Sequence, residues 1–292
     1  SGAPGLGVTS GGSIYGGAVY VDNFRVRMLT VPQGSETWLP TQLSNLSLWY
    51  KASDGVTKDY QNAVMDIVDL SGNKNDGQQL TLAQRPLWTA NQLNALPILD
   101  FTNSNSSNFT ASDSASLDMT DAVTAFVVMK IDSFGTYDGS ADYRGPFCAK
   151  ATNYKMGVIY TASTGVAGEI YFDDGTTEFL SSNATISTSA TEYTQICIVS
   201  QDSGANAGAF YKDGTDVGPC TGTPSTNGAN TDDQTIGRDA ANYFDGQIAE
   251  LIIFKEQMIE ANREKVEGYI AWRYDLVDEL PNAHPYKTAP PT

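Results

Sequence analysis

Apolar residues in this chain fall into short runs separated by Gly, Asn, Asp, Ser and Thr, the pattern of a protein built mainly from strands. Val123–Ile131 (VTAFVVMKI) is apolar on both parities and predicts a central strand covered on both faces. Ile248 and Leu251 to Phe254 form a second compact run, too short for a helix of its own and typical of a buried strand. Between them, Lys155–Tyr160, Glu169–Phe172 and Glu192–Ser200 follow at short spacing. Ala207–Tyr211 leads into Lys212-Asp213-Gly214, a hairpin-turn signal, and Thr235-Ile236-Gly237 precedes another short loop. The period then changes. Met258, Ile259, Asn262, Val266, Tyr269, Ile270, Arg273 and Leu276 share one helical arc, with Glu260, Glu264 and Glu267 opposite. Leu280-Pro281 and His284-Pro285-Tyr286 close the segment as an extended tail, because proline cannot continue a helix.

Many short strands with one late helix predict an all-β, two-sheet antiparallel sandwich, since each sheet must bury a face. Trp49, Phe101, Phe126, Val128, Ile196, Ile198, Leu251 and Ile253 are its expected buried residues. Residues 1–17 are glycine-rich, and 18–31 alternate well enough for one strand or a bent pair, with Val19, Val21, Phe24, Val26, Met28 and Leu29 apolar. Pro32-Gln33-Gly34-Ser35 reads as a linker. The expected organisation is an N-terminal arm over 1–35, a sandwich with its helix over 36–278, and a proline-rich tail over 279–292. The tracts at 102–118 and 221–233 read as polar loops.

Several motifs occur in a telling order. Leu48-Trp49-Tyr50-Lys51-Ala52-Ser53 looks like a first core strand, and Val68-Asp69-Leu70-Ser71-Gly72-Asn73-Lys74-Asn75-Asp76-Gly77 like a D-x-SGNxND turn. Arg85-Pro86 with Leu96-Pro97-Ile98-Leu99-Asp100-Phe101 follows, and then the 244–286 stretch with its DGxIAE strand, REKVEGYIAWRY helix and LPxxHPYK tail. Over residues 40–286 the chain resembles laminin-G-like, concanavalin A-type jelly-roll domains, of the kind found in phage virion proteins and bacterial surface proteins. The resemblance implies a concanavalin A-like jelly roll that binds or builds rather than catalyses. It implies a virion-surface role, as a decoration, head-fibre or tail-associated protein. Partners would be other virion proteins, a cell-surface glycan, or further copies of the chain. A secreted or surface carbohydrate-binding module of a bacterial enzyme is the alternative, and a degenerate glycoside hydrolase the third.

Composition narrows the field. A net charge of −17 argues against nucleic-acid partners, which need a basic face. No run of about 18 apolar residues is present to form a membrane-spanning helix, and the opening Ser1-Gly2-Ala3-Pro4 shows no signal-peptide pattern. Cys148, Cys197 and Cys220 are widely spaced, and the first two sit in apolar runs that suit packing as small hydrophobes. The sequons at Asn45, Asn105, Asn108 and Asn183 carry little weight in so Asn/Ser/Thr-rich a chain.

The residues that could carry chemistry are few. His284 is the only histidine and lies in the tail, which removes Ser-His-Asp chemistry and the usual zinc hydrolases. Glycoside hydrolysis needs two carboxylates about 5–9 Å apart. The nearest approach is Glu169-Ile170-Tyr171-Phe172-Asp173-Asp174, where only Glu169 and Asp173 share a face, so no catalysis is expected. A structural calcium would take its oxygens from Asp69 and Asn75 first, with Asp232, Asp233, Asp239 and Asp245 as a later cluster. The same residues are default turn-makers, and turn-making is the favoured reading for both clusters. For sugar contact, Tyr137, Tyr143, Tyr154 and Tyr243 lie near polar loops, whereas Trp49 and Trp272 suit core packing better.

Overall fold

In the computed structural model the described residues are 19–22, 25–28, 38–119, 122–134, 143–151, 153–161, 166–175, 177–181, 186, 192–200, 208–220, 229–240 and 242–292. The chain forms two compact units, residues 1–37 and 38–292. In the first, the apolar pattern expected as one strand or a bent pair is a hairpin of Val19–Asp22 and Arg25–Met28, registered Val19 to Met28 and Asp22 to Arg25.

The second unit is a jelly-roll sandwich. Sheet I has eight strands, in the order Thr215–Cys220, Gly208–Lys212, Thr194–Ser200, Val123–Ile131, Gly246–Phe254, Leu96–Phe101 and Leu87–Leu93, with Leu46–Lys51 also pairing on Gly246–Phe254. Sheet II has nine, in the order Glu178–Leu180, Ile170–Asp173, Tyr154–Thr161, Tyr143–Lys150, Gln234–Ile236, Phe109–Ala111, Gly77–Gln78, Val64–Ile67 and Val56–Lys58. Every pairing in both is antiparallel. Phe109–Ala111 lies within a tract that reads as a loop. Three residues are too few to show alternation, and this strand is recruited by pairing with Gln234–Ile236.

All eight residues expected to be buried are so, but they divide between two apolar layers. Phe101, Ile196, Ile198, Leu251 and Ile253 lie between the sheets with Phe109, Phe147 and Tyr154. Trp49, Phe126 and Val128 face the other way, into a layer with Ile252, Phe254 and helix residues Val266, Tyr269, Ile270 and Tyr274. The strand Val123–Ile131 feeds both, as alternation on a doubly covered strand requires.

The helix that covers sheet I, α1, spans Glu260–Tyr274. Thr124 sets its entry: the hydroxyl donates to the Glu256 carbonyl (2.8 Å) and accepts from the Met258 N–H (3.0 Å). Asp275 ends it in the left-handed region (φ 58°), and the Asp275 and Leu276 N–H groups both return to the Ala271 carbonyl. Two expectations fail on α1. Ile259, placed on the apolar arc, is 66% exposed, and Glu267, placed on the polar arc, is 1% exposed.

The C-terminal tail explains Glu267. It is not extended: His284 N–H returns to the Pro281 carbonyl and Lys287 N–H to that of His284, giving two successive turns. The tail lies over α1, so that a Cβ on Gly268 would meet Tyr286 at 2.5 Å, and the Trp272 indole donates to the Tyr286 carbonyl (2.8 Å). Beneath it, Arg263 Nη1 donates to both oxygens of Glu267 (2.7 and 2.6 Å), and His284 Nε2 lies 3.3 Å from Glu267 Oε2. The Arg263 guanidinium also stacks on Tyr211, 3.8 Å from the ring centroid. The Asp213-Gly214 turn supports the tail from the sheet side, close to Leu280, Pro281 and His284. Lys287 Nζ donates to the carbonyls of Val277, Asp278 and Leu280, tying the end of the tail back to the helix exit.

Removing one partner of a buried pair strands the other charge, so Glu267→Ala is expected to lower unfolding free energy by roughly 3 kcal/mol in urea titration. Converting Arg263 to Met together with Glu267→Met should recover most of that loss. A single-variant loss below about 1 kcal/mol would show that the pair is not enclosed as described.

Candidate functional site

Among the described residues no helix lies on the outer face of sheet II; one rank of side chains presented there is polar, while Ile159 and Tyr171 on the same face are buried. Strand alternation produces this. Phe109 and Ala111 point into the core and Thr110 away, Tyr154 and Met156 inward and Lys155 away, Ile170 and Phe172 inward and Asp173 away. Register then lines the outward residues up. Thr57 pairs Asp66, Asp66 pairs Gln78, Gln78 pairs Thr110, and Thr110 pairs Thr235. Thr235 pairs Ala149, Ala149 pairs Lys155, Lys155 pairs Asp173, and Asp173 pairs Glu178. One unbroken cross-strand rank thus crosses all nine strands, and every member except Ala149 is polar and at least partly exposed.

At the Gln78–Thr110 position the rank opens into a polar cleft of about 270 Å³, lined by Asn73, Lys74, Asn75, Asp76, Gln78, Thr110, Ser112, Asp113 and Ser114. Two devices hold its walls. On one side Asp69 organises the 69–76 turn. Its Oδ1 accepts from the Trp49 and Ser71 N–H groups (3.0 and 2.9 Å), and its Oδ2 from the Ser71 hydroxyl and the Asn75 N–H (2.7 and 3.0 Å). Asn75 Nδ2 donates to the Ser47 carbonyl and the Ser116 hydroxyl, both at 2.9 Å. On the other side the fully buried Lys150 ammonium bridges Asp113 (2.7 Å) and Asp118 (2.5 Å), fixing the 113–118 segment to strand Tyr143–Lys150.

The structure therefore brings Asp69 and Asn75 together as a hydrogen-bonded turn. Both carboxylate oxygens of Asp69 already accept two protein hydrogen bonds each, which does not fit a calcium ligand. Among the described residues no group of three or more His, Cys, Asp or Glu could hold a metal ion. The later acidic cluster is dispersed over separate tasks. Asp233 accepts from the Asp113 N–H (3.0 Å), Asp239 lies 3.5 Å from Lys155, and Asp245 accepts from the Asn103 N–H (3.1 Å). Burial pushes the Asp245 carboxyl above its ordinary range, with Asp132 adding repulsion.

Glu169 and Asp173 do not form a paired site. Glu169 sits just outside strand Ile170–Asp173, buried, with Oε2 accepting from the Val166 N–H (2.8 Å). Asp173 and Asp239 are both ion-paired with the Lys155 ammonium, 3.5 Å from each. Of the tyrosines considered for sugar contact, Tyr154 is buried and donates to Gln234 Oε1 (2.7 Å). Tyr243 is partly exposed, with the Arg238 guanidinium 5.7 Å from its ring centroid. Tyr137 and the Tyr143 side chain lie outside the described residues. Trp49 and Trp272 are packing residues as expected. The Trp49 indole donates to the buried Glu250 (2.6 Å), whose carboxyl burial pushes up against the pull of Arg273 and Lys51.

A family model described as the concanavalin A-like lectin/glucanases superfamily, of laminin G type, matches residues 103–262. No curated protein matches the chain. Solved structures do. Domain 4 of AbnA, a GH43 extracellular arabinanase from Geobacillus stearothermophilus solved with arabinotriose, has a TM-score of 0.51 at 14% identity, covering 74% of this chain and 95% of that one. The binding domain of Paraclostridial Mosquitocidal Protein 1 has a TM-score of 0.55 at 11% identity, covering 77% of this chain and 52% of that one. At these identities the likeness is one of fold, and the chain spans about half the length of the second structure.

The turn-making role of Asp69 has a direct check. Asp69→Ala removes four acceptor interactions from a buried loop and is expected to cost roughly 3 kcal/mol of stability by chemical denaturation. The melting temperature of the unsubstituted protein should be the same in calcium and in chelator. A calcium-dependent rise abolished by Asp69→Ala would reverse the assignment.

Proposed function

This chain belongs to the concanavalin A-like lectin/glucanase superfamily, and from that premise we propose that it is a non-catalytic module that binds a glycan on the open face of sheet II. The single observation behind this is the outward rank, polar at every position but Ala149, with the cleft beside Gln78 and Thr110. A sugar is held by many donors and acceptors set at regular intervals. The rank offers hydroxyls at Thr57, Thr110 and Thr235, an amide at Gln78, carboxylates at Asp66, Asp173 and Glu178, and an ammonium at Lys155. Neighbouring strands lie about 4.8 Å apart, so these groups repeat at a pitch close to the length of one sugar ring. Domain 4 of the arabinanase, solved with arabinotriose, is a precedent for a sugar-bound protein of this fold.

Three features support a binding role over hydrolysis. Glu169 is committed to a loop, Asp173 and Asp239 share the Lys155 ammonium group, and His284 is buried in the tail against Glu267 of α1. A hydrolase would need a carboxyl pair open to the glycosidic oxygen. Display on a virion surface is the setting we propose, with residues 1–35 as the attachment arm to other virion proteins. A secreted or cell-surface carbohydrate-binding module is the alternative.

Glycan-array and calorimetric binding should find a ligand. Asp173→Ala and Gln78→Ala, each removing hydrogen-bonding groups from the rank, are expected to weaken binding roughly tenfold apiece. Incubation with arabinan, xylan and β-glucan should release no reducing sugar. Turnover lost on Glu169→Gln or Asp173→Asn would overturn the non-catalytic reading. Deleting residues 1–35 should leave a folded, glycan-binding protein that no longer joins virion particles. If that truncated protein still assembles, the arm is not the attachment device.

A further inference from the structure

We propose that Lys150 and Asp118 are a site of self-modification, joined through their side chains as an intramolecular amide with Asp113 as the proton carrier. This holds or fails independently of the glycan reading. Lys150 ends strand Tyr143–Lys150 with a side chain that solvent does not reach, and its ammonium meets Asp118 Oδ1 at 2.5 Å and Asp113 Oδ1 at 2.7 Å. The two carboxylates differ in setting. Asp118 is 10% exposed and sits between Leu117 and Met119, both buried in the inter-sheet core, so it has little freedom to swing away. Asp113 is 34% exposed and lines the polar cleft. Tyr154, the cross-strand partner of Lys150, is buried as well. An enclosed amine, a carboxyl held against it and a second carboxyl open to water are the parts that amide formation needs.

The step balances within these three groups. Across the 2.7 Å hydrogen bond the Lys150 ammonium passes a proton to Asp113, and the nitrogen lone pair then forms a bond to Asp118 Cγ. The Asn230 N–H, 3.4 Å from Asp118 Oδ1, faces the oxygen that gathers negative charge as Cγ becomes tetrahedral. The Cγ–Oδ2 bond breaks, and that oxygen leaves as water. It takes two of the ammonium's three protons, one of them delivered by Asp113, while the third stays on the amide nitrogen. Asp113 ends as the carboxylate it began as, and its opening to the cleft gives the water a way out. Two physical effects favour the condensation. Holding amine and carboxyl in contact makes their encounter intramolecular. The product also removes an ammonium and a carboxylate whose lost hydration is only partly offset by their attraction.

Intact mass of the whole chain under denaturing conditions tests this directly. It is expected to lie about 18 Da, one water, below the mass of the sequence. Proteolysis should then yield a branched peptide joining residue 118 to residue 150. Lys150→Arg, which keeps the charge, and Asp118→Ala should each restore the full mass. Asp113→Asn should slow the appearance of the lighter species at least about tenfold after refolding, since it removes the proton carrier. The mass of the unsubstituted protein decides the matter even where a variant does not fold. Full mass there overturns the proposal, as does a deficit that maps within one linear peptide, the mark of a cyclised Asp or Asn. A branch from Lys150 to Asp113, or formation at an unchanged rate in Asp113→Asn, overturns the roles assigned to the two carboxylates.

Discussion

The whole architecture depends on a sheet that is apolar on both faces. In strand Val123–Ile131, Ala125, Val127 and Met129 face sheet II while Phe126 and Val128 face outward, and the neighbouring strand does the same with Leu251 and Ile253 against Ile252 and Phe254. Exposing either side would cost about 1.5–3 kcal/mol for each large side chain left in water. Two covers are therefore required. Sheet II supplies one, and α1 with the tail supplies the other. Sheet I is thus enclosed from both directions, whereas the outward rank of sheet II from Thr57 to Glu178 is polar at every position but Ala149.

Buried charge marks the seams between these covers. Arg263, Glu267 and His284 meet where helix, tail and the Asp213-Gly214 turn converge. Trp49, Glu250 and Tyr269 join a sheet I strand to the helix through hydrogen bonds of 2.6 and 3.0 Å to one carboxylate oxygen. Lys150, Asp113 and Asp118 fix the cleft loop to sheet II. Such groups pay a desolvation penalty that attraction only partly offsets, so their contribution lies in excluding other registers and docking angles more than in net stability.

The strands with long apolar runs were legible in the sequence, as were the helix and the eight expected core residues, because burial on this scale leaves a period in the chain. Short strands left none. Val56–Lys58, Phe109–Ala111 and Glu178–Leu180 have three residues each and exist through their partners. The polar arc of α1 was misread at Glu267 because a helical wheel has no knowledge of a second cover lying on top of it. The site was the least legible part. Thr57, Asp66, Gln78, Thr110, Lys155 and Thr235 are scattered from residue 57 to residue 235, and only cross-strand register makes them neighbours. No local pattern encodes register between strands so distant. The D-x-SGNxND turn, by contrast, was visible, and Asp69 shows the default use of Asp in turns.

Strand Gly246–Phe254 lies between Val123–Ile131 on one side and both Leu46–Lys51 and Leu96–Phe101 on the other. The last strand of the sheet in chain order is thus its keystone, and Val123–Ile131 has no link to Leu46–Lys51 or Leu96–Phe101 within the sheet until that last strand has left the ribosome. For most of translation those apolar strands have unpaired edges, the state in which nascent chains associate with one another or recruit chaperones. A chain stalled before residue 246 would hold sheet I in pieces, a four-strand group ending at Val123–Ile131, the pair Leu87–Leu93 and Leu96–Phe101, and Leu46–Lys51 alone, with the edges that the missing strand would join left open.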